Sequence, residues 1–117
     1  EHLKIHSSRG AIFEGFVITE IIKSYLATGK RPSIYYWREH SGLEIDLLIE
    51  KQNELIAIEA KSGMTVTPDL TIGLNKIGAT INDAAVKKLL VYGGNDKRKI
   101  GDSTILSWRN FMPDILN

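Results

Sequence analysis

The chain has 117 residues, 43% of them hydrophobic and 25% charged, and contains no cysteine. That length supports one core and hardly two, so residues 1–117 are read as a single globular domain. Fifteen Lys and Arg against fourteen Asp and Glu leave a formal charge of +1, which gives no global footprint for nucleic acid, and the lack of thiols excludes disulfides and thiolate metal sites.

The three histidines, His2, His6 and His40, do not have zinc-motif spacing, so a metal here would be held by oxygen. No apolar run approaches the roughly 20 residues of a membrane span and the amino terminus has no hydrophobic signal core, so the expectation is a cytoplasmic protein with no membrane partner. After a short polar-mixed start, apolar residues at helical spacing predict a helix over 11–26, ended by Gly29 and Pro32. Ile34 to Arg38 reads as a strand, His40-Ser41-Gly42 as a turn, and Leu43 to Ile49 as a second strand. A polar turn over 51–54 leads to a third strand, Leu55 to Lys61. Thr67-Pro68-Asp69 has the form of a helix start, with Leu70, Leu74 and Ile77 on one face and Gly73 and Gly78 weakening it. Leu89 to Tyr92 and Thr104 to Trp108 read as strands, and Arg109 to Leu116 as a closing helix. The sequence contains no P-loop pattern, so this chain alone is not expected to hydrolyse ATP.

Glu59 and Lys61 share one face of their strand, about 7 Å apart along the chain. A hairpin symmetric about Gln52-Asn53 sets Glu50 opposite Leu55, Asp46 opposite Glu59 and Glu44 opposite Lys61. It brings the Asp46 and Glu59 Cβ atoms to about 5 Å, where two carboxylates repel unless a cation lies between them. On that reading Asp46→Ala relieves the repulsion and stabilises the metal-free fold. Ile45, Leu47, Ile49, Ile56 and Ile58 fall together on the opposite, apolar face. Glu14 interrupts an apolar helix stripe of Val17, Ile18, Ile21 and Tyr25, which suggests that the first helix delivers it to the same place. Spacing alone also describes an ordinary solvent face, with Glu44 and Lys61 as a weak cross-strand ion pair and Glu14 at a helix edge reaching water. Trp37, Tyr35 and Tyr36 read as packing residues, Asp69 and Asp83 as cap and loop residues, and the cluster Lys87, Lys88, Lys97, Arg98 and Lys99 as solvated surface more than a phosphate track.

Five stretches in order carry a resemblance: Arg9 to Val17, Tyr36-Trp37-Arg38, Ser41 to Asp46, Ile58 to Gly63, and Tyr92-Gly93-Gly94. Over nearly its whole length the chain resembles the carboxy-terminal, uncharacterised domain of prokaryotic AAA-type ATPases, itself similar to PD-(D/E)xK nucleases. The resemblance implies an α/β, restriction endonuclease-like core of order αβββαβ, with a central mixed sheet flanked by helices. It implies magnesium or manganese held by Asp46, Glu59 and the Ala60 carbonyl, with Glu14 in support and Lys61 as the catalytic cation. It further implies phosphodiester hydrolysis of DNA, and an ATPase module in a longer chain of which this is a fragment. Gly15 stands where the family usually shows Asn. The alternative expectation is a non-catalytic module that binds nucleic acid or protein, with dimerisation as one such role.

Overall fold

The computed structural model describes residues 2–31, 33–38, 44–51, 54–81 and 86–116. These form helix α1 (His2–Ala27), strands β1 (Ser33–Arg38), β2 (Glu44–Lys51) and β3 (Glu54–Lys61), a 3-10 turn over Pro68–Thr71, helix α2 (Ile72–Ile81), strands β4 (Val86–Tyr92), β5 (Arg98–Ile100) and β6 (Ser103–Ser107), and helix α3 (Met112–Leu116). The strands make one sheet in the order β1-β2-β3-β4-β6-β5. Its first half is an antiparallel meander; β3, β4 and β6 run parallel, and β5 returns antiparallel to β6. The α/β class and the mixed sheet flanked by helices are as expected. Among the described residues no helix is long and apolar enough to cross a membrane.

Two cores sandwich the sheet. On one face Val17, Ile21 and Tyr25 of α1, with Phe111 and Ile115, cover Leu47, Ile49, Ile56, Ile58, Leu89 and Val91. On the other, Leu74 and Ile77 of α2 cover Leu48, Ala57, Leu90 and Ile105. Each fully buried aliphatic side chain contributes about 1.5–3 kcal/mol, and β3 and β4, apolar on both faces, are the layer that both cores share.

α1 begins earlier than the periodicity predicts, at His2, because the preceding residues are polar-mixed but hold no proline to stop a helix. It ends as expected at Gly29, whose φ of 76° suits glycine. There Gly29 N–H donates to Leu26 O and Lys30 N–H to Tyr25 O, at 3.0 and 3.2 Å, the paired bonds of a Schellman motif. Pro32 and the His40-Ser41-Gly42 turn lie outside the described residues. The predicted start of the second helix is a 3-10 turn before α2, and the Thr67 hydroxyl donates to the Asp69 carboxylate and caps no backbone N–H. A Cβ on Gly78 would lie 2.8 Å from Lys88 Cε, the far end of a flexible side chain. β5 was not predicted. It has three residues, two of them cationic, on a sheet edge, where charge discourages further pairing and erases the hydrophobic signal of a strand.

Candidate functional site

The β2–β3 hairpin keeps the predicted register: Glu50 pairs with Leu55, Leu48 with Ala57 and Leu47 with Ile58. One step further, side chains take over from the ladder. Asp46 N–H donates to Glu59 Oε1 at 2.9 Å, and Ala60 N–H donates to Asp46 Oδ2 at 2.8 Å. Each carboxylate thus satisfies a backbone donor on the opposite strand, and hydrogen bonds to a charged acceptor contribute about 1.5–3 kcal/mol.

A bulge explains why the exchange occurs here. Tyr35 pairs with Leu48 but Trp37 pairs with Ile45, so Asp46 and Leu47 together oppose the single residue Tyr36. An extra residue bends the strand and re-aims its side chains. The strict alternation expected of Ile45, Leu47 and Ile49 therefore fails: Ile45 joins the α2-side core with Leu48, while Leu47 and Ile49 stay on the α1 side.

Glu59 is only 7% exposed. Burial, and next the charge of Asp46, push its carboxyl up to about 7, against the opposing pull of the Asp46 N–H and of Lys61. Lys61 Nζ lies 3.6 Å from Glu59 Oε2 with its side chain 40% exposed, so it is tethered at one side and open to solvent at the other. Lys61 is partnered by Glu59 of its own strand; the side chain of Glu44, its expected cross-strand partner, lies outside the described residues.

Glu14 is carried to the neighbourhood of Asp46. Both line a cavity of about 480 Å3 with Ala11, Gly15, Ile18, Tyr36, Trp37 and Ile45. Asp46, Glu59, Ala60 and Lys61 are thus joined by direct contacts, whereas Glu14 shares a cavity with Asp46 alone of the four. Among the described residues no three His, Cys, Asp or Glu side chains cluster closely enough to form a ready-made metal site. A Cβ on Gly15 would meet nothing within 4 Å, so there is room for a larger side chain at this cleft-lining position.

Sequence reasoning left a second set of residues without a role. Gly93 N–H donates to Gly63 O at 2.9 Å, and a Cβ on Gly93 would fall 2.3 Å from Ser62 O. Only glycine lets the exit of β4 press against the loop that follows Lys61. The Tyr92-Gly93-Gly94 pattern marked this place, but its partner, Ser62-Gly63, is distant in sequence. The basic cluster is the solvated surface expected at Lys97, Arg98 and Lys99, which are exposed, with bonds inside the chain from several of its members. Lys87 Nζ donates to Asp114 O, Lys88 pairs with Asp102 at 2.9 Å, Lys97 with Asp114 at 3.0 Å, and Arg98 donates to Val66 O.

The family described as a domain of unknown function, DUF4143, matches residues 9–111 of this chain. No curated protein matches it.

Proposed function

The chain belongs to the DUF4143 family, and from that premise, which assigns no chemistry, we propose that the domain carries out metal-dependent hydrolysis of DNA phosphodiesters at Asp46, Glu59 and Lys61. The observation that carries this reading is the reciprocal bonding of the Asp46 and Glu59 carboxylates to each other's strands, with a lysine ammonium beside them. Two adjacent acids, one of them buried and the other half-buried, are eased by a proton or a cation between them. The donors available are all hard oxygens, from Asp46, Glu59 and the Ala60 carbonyl, with Glu14 on the facing helix, a set that suits magnesium or manganese. When bound, such a cation neutralises phosphoryl oxygens and lowers the pKa of water.

The protein's own part is positional. Asp46 and Glu59 are held in place by backbone N–H groups of the opposite strand, the economy expected of a preorganised site. Lys61 reaches solvent from a strand end fixed by Gly93, and its ammonium orients the attacking water and offsets charge as it builds on the phosphate. The restriction endonuclease-like identity of the core and an ATPase module elsewhere in a longer chain belong to this same proposal. A second reading, a non-catalytic nucleic-acid- or protein-binding module, draws on the +1 charge and on the commitment of Lys87, Lys88, Lys97 and Arg98 to internal partners.

The test is cleavage of supercoiled plasmid and of a branched DNA with manganese or magnesium, against EDTA, beside Asp46→Ala and Lys61→Ala. Metal-dependent nicking that both variants lose supports the hydrolase. No nicking, together with no manganese binding by calorimetry, moves the assignment to the binding module.

A further inference from the structure

The three parallel strands end on one row, in which Lys61 pairs with Tyr92 and Tyr92 with Ser107. Ser107, the last residue of β6, is a buried hydroxyl, 2% exposed. It donates to Gly94 O at 2.8 Å and accepts the Arg109 N–H at 3.1 Å. The loop that it holds is drawn back over the end of β4. The Tyr92 hydroxyl accepts the Asp96 N–H at 2.9 Å, and a Cβ on Gly94 would fall 2.3 Å from the Tyr92 ring. On its other side the loop meets the segment that leaves Lys61, through the bond from Gly93 N–H to Gly63 O and the close approach of Gly93 to Ser62 O.

Ser107 is thus tied to Lys61 by two short stretches of backbone, Gly93-Gly94 and Ser62-Gly63, that lie outside the helices and strands. No ladder fixes such backbone, so its side-chain bonds decide where it stands. Burial of a serine on β6 does not by itself demand this bonding: Ser103, at the other end of the strand, is as deeply buried, and its hydroxyl has no partner among the described residues. Resting on the hydrolase reading above, we propose that Ser107 is a positioning residue, whose hydroxyl latches the Gly93-Gly94 loop and through it sets where the Lys61 ammonium stands beside Glu59.

The experiment compares the domain with Ser107→Ala, with Ser107→Thr, which keeps a hydroxyl, and with Ser103→Ala. Ser107→Cys, which keeps the volume with a weaker donor, takes the place of alanine if that variant does not fold. Trace acetylation by acetic anhydride at one fixed pH in EDTA, read by mass spectrometry, gives the labelling of Lys61 relative to Lys76, an exposed lysine of α2. The ratio is expected to rise about threefold in Ser107→Ala, the order of one partly exposed ion pair released, and to keep the parent value in Ser107→Thr and Ser103→Ala. With manganese and plasmid, kcat of Ser107→Ala is expected to fall about tenfold at unchanged KM, as for a group displaced from its place in the transition state, and threonine restores it. Thermal melts accompany each variant. A lowered Tm in Ser107→Ala with the parent labelling ratio makes Ser107 a residue of the fold alone and overturns the proposal. So does an equal rise in Ser103→Ala, because any loosening of β6 would then suffice. A raised ratio in Ser107→Ala of a parent that does not nick keeps the latch and removes the hydrolase, whereas nicking with ratio and kcat both unchanged in Ser107→Ala does the reverse.

Discussion

Glu59 accepts the Asp46 N–H in a place from which water is nearly excluded, and this makes its ionisation a stability term. Its folded-state pKa is raised from 4.5 to about 7. A carboxyl so raised stabilises the fold fully below its unfolded pKa, and that contribution is lost as pH rises through the folded value. The window is therefore pH 4.5 to 7, and its span corresponds to about 3 kcal/mol. Urea unfolding of the metal-free domain across this range is expected to show a loss of that order, which Glu59→Gln abolishes while remaining about 2 kcal/mol more stable than the parent at pH 8. An unchanged pH profile in Glu59→Gln would mean that the carboxyl ionises as a solvated one. Asp46 behaves differently from the expectation based on repulsion alone, since its carboxylate also satisfies Ala60 N–H. Asp46→Asn keeps an acceptor and removes the charge, whereas Asp46→Ala leaves a donor unpaired at a cost of about 1–3 kcal/mol. Equilibrium melts at pH 8 should rank Asn above Ala by about that amount, and the reverse order would show that Coulomb repulsion dominates.

At the scale of elements, the same substitution has opposite signs at two glycines of α1. Gly15 sits within the helix with open space around it, so Gly15→Ala is expected to raise stability by about 0.5–1 kcal/mol. Gly29 holds a φ of 76°, and Gly29→Ala is expected to cost about 1–2 kcal/mol; calorimetric melting of the two variants should move Tm in opposite directions. The body of α1, the meander and its register were legible because periods of 3.6 and 2 repeat there and polar turn residues fix the pairing. The pairing of Asp46 with Glu59 followed from that register. The bulge that sends Ile45 to the other core did not, because an added residue arises from β1 and β2 pairing out of step and leaves each strand's own pattern intact. The Gly93 approach to Ser62 was hidden for a similar reason: it joins two strand exits that only the parallel β3–β4 pairing brings together.

At the scale of the whole molecule, the clustered cations bond Asp102, Asp114 and backbone carbonyls from the surface, where Lys97, Arg98 and Lys99 stay exposed. The order in which the chain comes together also matters. Asp46 and Glu59 are 13 residues apart, within one local hairpin, whereas β4 must cross over by way of α2 to pair with β3. Local contacts close at less entropic cost than distant ones, so the two carboxylates meet in a hairpin still open to water, where Glu59 titrates as an ordinary acid. The docking of β4 and α2 then dries it. Proton uptake near pH 6 is then expected to accompany that docking and not the pairing of β2 with β3, which stopped-flow refolding with a pH indicator checks.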